Sequence, residues 1–255
     1  MSFLFTILLF LAIAGLPLFL VLSGLALAGY ASQDLNYSIY FAELLRLATT
    51  PTLVAIPLFT FAGYVLAESK APERLVRLAK ALFGKLPGGL ALVALFVMAL
   101  FTAFTGASGI TIVAMGGLLL PALLKSGYQQ KFSLGLLTAS GSIGLLFPPS
   151  LPLILYGVVS ETPIDHLFIA GILPGILLVT GMATFGIMKG RKIKLNSGES
   201  EKEPVLLAIR SAIWEIPLPF IVVGGIYGGF FTVSEAAVIT AAYLVIVECL
   251  SLIHI

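Results

Sequence analysis

The sequence has few charged residues, a single cysteine and two histidines. Only 10% of its 255 residues are Asp, Glu, Lys or Arg, and 59% are hydrophobic, whereas a soluble globular domain has about 25% charged residues. So little charge cannot cover a soluble surface, which excludes a soluble enzyme and a disordered chain. A net charge of +2 is too small for a nucleic-acid binder. The lone Cys249 excludes a disulfide scaffold and a cysteine-based metal site.

Long apolar stretches make up most of the remaining sequence. At about 20 residues for each span, the chain has room for roughly eight to ten segments at membrane depth. The composition therefore predicts an all-α polytopic membrane protein that lies in a lipid bilayer. Within the stretch 3–30, Gly15 and Pro17 predict a break.

The basic residues are unevenly distributed along the chain. All but Arg46 and Arg210 of the fourteen lie within residues 69–87, 125–131 and 189–204. Cytoplasmic loops collect Lys and Arg, so these three segments are predicted to be cytoplasmic, and the linkers 31–49 and 160–166 external. Within 69–87, apolar residues recur at helical spacing among basic ones. This pattern predicts an amphipathic helix on the inner leaflet, and a helix that docks a partner is the alternative.

A first break in a membrane helix is expected in the middle of residues 88–124. By the predicted topology, this stretch begins and ends on the cytoplasmic side. Small residues form the run Gly106-Ala107-Ser108-Gly109 there, without the charge, Asn or Pro that a water-exposed turn usually carries. The stretch is slightly short for two full spans and a turn. We therefore predict a re-entrant hairpin of two half-length helices whose tip is buried in protein.

A second interruption is expected where Gly144-Leu145 precedes Pro148-Pro149-Ser150. Residues 132–159 would form a straight helix of about 42 Å, against a hydrocarbon core of about 30 Å. Each proline deletes a hydrogen bond to the carbonyl four residues earlier. The prolines, including Pro152, are thus predicted to free the carbonyls of Gly144, Leu145 and Pro148. A cation would satisfy them at membrane depth.

Interrupted helices of this kind are typical of secondary transporters, where freed carbonyls bind Na⁺ and half-helix N-termini face anionic substrate groups. Oxygen ligands without fixed carboxylates favour Na⁺ over a divalent ion. The helices that begin after Ser108 and after Ser150 would both supply amide dipoles to the substrate. The Na⁺ ligands expected from these freed oxygens are the carbonyls of Gly144, Leu145 and Pro148 and the Ser150 hydroxyl.

The order and spacing of several motifs resemble the large membrane subunit of tripartite ATP-independent periplasmic (TRAP) transporters over residues 1–248. They include Gly106-Ala107-Ser108, Pro148-Pro149-Ser150, Ile56-Pro57-Leu58-Phe59, Leu86-Pro87-Gly88-Gly89, Ala170-Gly171-Ile172-Leu173-Pro174-Gly175 and the run from Gly228 to Ala237. The resemblance implies a multi-pass protein of the bacterial inner membrane. It implies Na⁺-coupled import of organic acids, typically C4-dicarboxylates or sialic acid, without a further cofactor. The implied partners are a small four-helix membrane subunit and a periplasmic solute-binding protein.

The resemblance also implies an elevator-type fold of two inverted repeats. Carried over by position, the resemblance implies that Gly106, Ala107 and Ser108 at the tip and Pro148, Pro149 and Ser150 at the broken helix line the first Na⁺ site and one wall of the substrate site. Ser108 and Ser150 are the residues expected to contact substrate. Ala107 is part of the tip, but its side chain is not assigned a ligand role. The segments expected in order are scaffold helices 1–68, an arm helix 69–87, the hairpin 88–124, the broken helix and next span 125–188, a loop 189–204 and the start of a second repeat 205–250.

The final residues depart from the family pattern. Residues 251–255 resemble a foreign tail, and no second hairpin or proline-broken helix is evident. We therefore expect this chain alone not to transport, and substrate-dependent Na⁺ uptake by the purified chain in proteoliposomes would contradict that expectation.

Three other classes of membrane protein are possible for an apolar chain with these motifs. Gly106-Ala107-Ser108-Gly109 matches the G-x-S-G pattern of a serine nucleophile, so an intramembrane serine protease is the main alternative. Such an enzyme needs a base, and only His166 and His254 are available. A channel would show rings of charge or carbonyl filters, and a purely structural subunit would not need two broken helices. A non-enzymatic transporter is favoured.

Overall fold

The computed structural model describes residues 2–84, 86, 88–191 and 204–253. Most of the predicted loop 189–204 lies outside this range, as do Lys85, Pro87 and residues 254–255 of the expected tail. The described part of the chain is helical and contains no strand. The predicted all-α class is therefore confirmed. The chain divides into two compact units, Met1–Thr50 and Pro51–Ile255.

The first unit consists of three helices, α1 (Ser2–Ile13), α2 (Leu18–Ser32) and α3 (Tyr37–Ala48). α1 and α2 are separated at the predicted position, where Gly15 adopts a left-handed φ of +96° that favours glycine. Asn36 caps α3 by accepting a hydrogen bond from the Ser38 amide at 3.0 Å. Tyr30 and Tyr40 pack edge to face between α2 and α3.

The second unit contains ten further helices among its described residues. They are α4 (Ala55–Glu68), α5 (Ala71–Phe83), α6 (Gly89–Thr105), α7 (Ser108–Lys125), α8 (Gln130–Ile143), α9 (Leu151–Ser160), α10 (Ile164–Arg191), α11 (Val205–Ser211), α12 (Pro217–Tyr227) and α13 (Val233–Ile253). Short 3₁₀ turns at Pro51–Val54 and Gly144–Leu146 precede α4 and follow α8.

Helix α6 forms the centre of this unit. It is apolar on all sides and almost entirely buried, with α4, α5, α7, α8 and α10 packed around it. A helix without a polar face must be surrounded by protein or lipid. Glycines let neighbouring backbones approach it closely. A Cβ on Gly63 of α4 would lie 2.4 Å from the Thr105 Cα.

Within the described ranges, three helical segments are long and apolar enough to cross a membrane, namely Pro51–Glu68, Ser108–Lys125 and Ile164–Arg191. A fourth span is formed if Gln130–Leu146 and Leu151–Ser160, bent by 41° at their break, are counted together. The roughly eight to ten segments expected from length are thus not all full spans, because α2, α6 and α12 are shorter apolar helices. The predicted sidedness of the loops remains a prediction.

The predicted amphipathic helix is present as α5. Its apolar residues Leu75 and Ala79 are buried, but α6 and α11 cover this face. The expectation that the apolar stripe rests on the inner leaflet is therefore wrong for these residues, because protein covers it. Among the large apolar side chains of α5, only that of Leu82, near the end of the helix, is substantially exposed. The basic residues Arg77 and Lys80 lie on the exposed face.

Candidate functional site

The first predicted break is a tight turn between α6 and α7. Gly106 adopts a left-handed φ of +63° and donates its amide hydrogen to the Thr102 carbonyl at 2.8 Å. Ala107 then returns to extended backbone. The buried hydroxyls of Thr105 and Thr111 bond to each other at 2.8 Å across the turn. Gly106 is therefore needed for the geometry of the turn, and the threonines brace it.

The two arms of this hairpin are longer than predicted. α7, with 18 residues, is long enough to span a membrane, and α6 has 17 residues. The expectation of half-length helices is wrong because only Gly106 and Ala107 form the turn, which leaves almost the whole segment helical. The depth of the tip in a membrane remains a prediction.

The start of α7 presents unpaired backbone donors. The first amides of a helix have no intrahelical acceptor, and those of Ser108, Gly109 and Ile110 have no other acceptor within the described residues. The Ser108 side chain is partly exposed and makes no hydrogen bond to another described residue. Such an N-terminus attracts an anionic group through its amides and its dipole.

The second break has fewer free carbonyls than predicted. The Leu145 carbonyl accepts a hydrogen bond from the Ser150 hydroxyl, and the Gly144 carbonyl accepts one from the Phe147 amide at 3.1 Å. Of the three carbonyls expected to be free, only that of Pro148 accepts no hydrogen bond from a residue in the described part of the chain. The prediction was wrong for Gly144 and Leu145 because the chain folds back and supplies its own donors.

The start of α9 is also less available to an anion than expected. Ser150 is buried, and its hydroxyl accepts a hydrogen bond from the Leu153 amide at 3.4 Å. Pro152 has no amide hydrogen. Only the Leu151 amide then lacks an acceptor at this end within the described part of the chain, so α7 is the better anion-binding terminus.

The structure brings the two breaks together. A Cβ on Gly106 would lie 2.2 Å from the Cγ of Leu151, so the first residue of α9 rests on the tip of the hairpin. A Cβ on Gly144 would lie 2.6 Å from the Cβ of Thr102. The 3₁₀ turn therefore packs on the last turn of α6. Residues that are distant in sequence form one continuous region.

Two buried hydroxyls in this region have no partner. Thr102 on α6 and Ser140 on α8 are fully buried, and neither hydroxyl oxygen has a hydrogen-bond partner among the residues that the structure describes. By contrast, the exposed hydroxyls of Thr138 and Ser142 bond to carbonyls of their own helix. The sequence showed these polar residues near the breaks but did not distinguish which of them point inward. Helical spacing relative to buried Leu136, Leu137 and Gly141 would have separated Ser140 from its neighbours.

The polar atoms at the breaks are neutral oxygens and amides. No group of three or more His, Cys, Asp or Glu that would hold a metal ion occurs among the residues described. An oxygen set of this kind suits a monovalent cation better than a transition metal. The protease hypothesis required a base near Ser108, but His166 is exposed and lies beside Asp165, with their closest atoms 3.9 Å apart.

Together, these features define a polytopic all-α membrane protein with a discontinuous helix packed against a helical hairpin. Residues 3–252 match the family described as "Tripartite ATP-independent periplasmic transporter, DctM component". The chain belongs to this family of TRAP transporter large permeases. As a member it is a multi-pass protein of the inner membrane. The family consists of permeases, so the intramembrane protease hypothesis is not supported.

Comparison with curated proteins identifies several relatives. The chain is 37% identical over 201 residues to the ectoine TRAP transporter large permease protein TeaC of Halomonas elongata, covering 77% of this chain and 46% of TeaC. It is 35% identical over 245 residues to the isethionate TRAP transporter permease protein DctMQ of Oleidesulfovibrio alaskensis, covering 93% and 38%. It is 36% identical over 194 residues to the C4-dicarboxylate TRAP transporter large permease protein DctM of Pseudomonas aeruginosa, covering 75% and 45%. The chain thus spans about half the length of these relatives or less.

Proposed function

We propose that this chain forms part of the large permease of a Na⁺-coupled TRAP transporter that imports organic anions. Family membership supports the transporter class. The Na⁺ coupling and the anionic substrate rest on the geometry of the two breaks. The proposed coupling ion is bound beside the α8–α9 break, and the proposed substrate site adjoins the start of α7.

The observation that carries the proposal is the pair of buried, unpartnered hydroxyls of Thr102 and Ser140. Leaving a buried polar group unpaired costs about 1–3 kcal/mol, so two such groups beside one helix break need an explanation. A bound Na⁺ would give both oxygens a partner. The Pro148 carbonyl, which lies in the same break and accepts no hydrogen bond from a described residue, offers a further neutral oxygen.

The site for the anion is best supported at α7. Its unpaired amides at Ser108 and Gly109 and the positive end of its dipole favour a carboxylate. The Ser108 hydroxyl is positioned to add a hydrogen bond. Ser150, also expected to contact substrate, instead bonds to Leu145 and caps α9, which supports a role in shaping the site.

The names of the relatives indicate which classes of substrate to consider for this chain. They refer to ectoine, isethionate and C4-dicarboxylates, so the substrate differs within the family. We propose a C4-dicarboxylate or a related carboxylic acid for this chain. The family description is tripartite, which supports a small membrane subunit and a periplasmic binding protein as partners.

The test measures stabilisation by Na⁺. The purified chain is unfolded thermally in NaCl and in KCl at equal ionic strength, so that general salt effects cancel. A ligand present at 100 times its Kd stabilises the folded state by about 2.7 kcal/mol. We expect a higher Tm in NaCl, and we expect Thr102→Val and Ser140→Ala to abolish the difference between the two salts.

Thr138→Val is the matched control, because Thr138 lies on the same helix as Ser140 but is exposed and bonded to its own helix. It should retain the Na⁺-specific shift. Equal Tm values for the wild-type chain in both salts would contradict Na⁺ binding by this chain. An unchanged shift in both Thr102→Val and Ser140→Ala would place any Na⁺ elsewhere.

A further inference from the structure

Four basic residues lie at the end of the second unit where α7 and α10 end and α8 begins. α8 packs against both α7 and α10, so the helix ends that carry these residues are neighbours. All four residues are exposed. They form the basic patch, which consists of Lys125, Lys131, Lys189 and Arg191.

Three aromatic rings hold the start of α8 against the end of α10. The ring of Tyr128 stacks on that of Phe132, with centroids 5.5 Å apart, and Phe132 packs against Phe185 at 5.7 Å. The Lys189 Nζ lies 5.5 Å from the centroid of the Phe185 ring, which is a cation–π contact. The rings therefore keep Lys189 close to the first turn of α8, which carries Lys131.

The basic patch has no negative partner within the described ranges. None of its four residues makes an ion pair with another described residue, and residues 125–131 and 185–191 contain no Asp or Glu. Helix dipoles favour the cations at the ends of α7 and α10, but they disfavour Lys131, because the start of a helix is its positive end. The described fold thus leaves this concentration of positive charge without a counter-charge.

The surface of α10 that leads to the basic patch is apolar and exposed. By their helical spacing, Leu177, Met188 and Arg191 fall on one side of the helix, and Leu177 and Met188 are 65% and 60% exposed. A phospholipid combines apolar acyl chains with a charged headgroup, so it matches an apolar surface that ends in cations. A soluble acidic partner would match the cations but not the adjoining apolar surface.

We propose that the basic patch binds the anionic headgroup of a phospholipid, whose acyl chains lie along the exposed apolar surface of α10. Lys131 and Lys189 donate hydrogen bonds to the phosphate oxygens, and the planar guanidinium of Arg191 donates two. By the predicted topology, the segments that carry the patch are cytoplasmic. The lipid therefore belongs to the inner leaflet, where anionic lipids attract basic residues. This site is separate from the two helix breaks and does not depend on the proposed Na⁺ site.

The experiment counts the lipids that bind to the purified full chain. The chain in detergent micelles is titrated with phosphatidylglycerol, or with zwitterionic phosphatidylcholine of the same acyl chains, and bound lipids are counted by native mass spectrometry. We expect phosphatidylglycerol to bind more tightly, and we expect added salt to reduce the difference because it screens the charges.

Removing two charges of the patch tests the assignment. Each basic residue near an anionic surface strengthens binding about fivefold, so Lys131→Gln/Lys189→Gln should bind phosphatidylglycerol about 30-fold more weakly. Its affinity for phosphatidylcholine should not change. Lys131→Arg/Lys189→Arg keeps both charges and should bind phosphatidylglycerol as the wild-type chain does.

Lys70→Gln/Arg210→Gln is the matched control, because it removes the same charge from exposed residues outside the patch. It should retain the wild-type affinity. The proposal is overturned if the two lipids bind equally to the wild-type chain, or if both Gln double variants lose the same affinity, since net charge alone would then explain binding. It is also overturned if Lys131→Gln/Lys189→Gln loses binding of a polyglutamate peptide but keeps that of phosphatidylglycerol, which would indicate an acidic protein as the partner.

Discussion

Substituting Gly106 by alanine probes the contact between the hairpin tip and the start of α9. The substitution lowers the free energy of unfolding through two effects that can be separated. A left-handed conformation costs a residue with a Cβ about 1–2 kcal/mol, and Gly106 has a φ of +63°. The added methyl would lie 2.2 Å from the Leu151 Cγ and 2.9 Å from its Cβ, which is closer than any relaxed contact. Overpacking of this kind typically costs about 1–3 kcal/mol.

The two costs predict a loss of about 2–5 kcal/mol in the free energy of unfolding for Gly106→Ala. A double-mutant cycle with Leu151→Ala separates them, because the smaller side chain removes the clash but not the backbone cost. We expect a coupling energy of about 1–3 kcal/mol in favour of the double variant. The assay is equilibrium unfolding of the purified chain in detergent micelles.

Gly109 provides the matched control. It lies three residues further along the same tip, with nothing within 4 Å of an added Cβ and no left-handed φ. Gly109→Ala should be neutral or stabilise α7 by up to about 1 kcal/mol. Additive effects of Gly106→Ala and Leu151→Ala would refute the packing of α9 on the tip.

Three further substitutions test individual contacts. Gly63→Ala would place a methyl 2.4 Å from the Thr105 Cα. Since backbone cannot move aside as a side chain can, we expect a loss of more than about 2 kcal/mol and a lower Tm. Ser150→Ala removes the donor to the Leu145 carbonyl and the cap of α9, with an expected loss of about 1–2 kcal/mol in chemical unfolding. Asn36→Ala removes the α3 cap, so hydrogen exchange should accelerate in the first turn of that helix.

The positions of the breaks follow from local chemistry, which is why the sequence predicts them. Gly106 is required for a left-handed turn, and the prolines between Leu146 and Leu151 cannot continue an α-helix. Local chemistry did not predict which carbonyls at the second break are free of hydrogen bonds. Whether a freed carbonyl stays unpaired depends on where the chain goes next, and here the Ser150 hydroxyl returns to Leu145.

Contacts between residues that are distant in sequence could not be predicted from the sequence. The alternation of polar and apolar residues predicts α5, but not that α6 and α11 cover its apolar face. The ion pair between Arg74 and Glu215 joins residues whose proximity no spacing rule gives. Similarly, Thr102 was one of several threonines near the tip until the fold showed that its hydroxyl is buried and unpaired.

The Na⁺-coupled transport site that we propose for this chain can be tested in cells. The most direct test measures C4-dicarboxylate uptake by cells in which this chain replaces the matching segment of the Pseudomonas aeruginosa DctM permease. We expect uptake that requires external Na⁺, that is weakened by Thr102→Val and that is unchanged by Thr138→Val. Uptake that proceeds equally well with K⁺ in place of Na⁺, or with the same Na⁺ dependence in Thr102→Val, would contradict the proposed Na⁺ site.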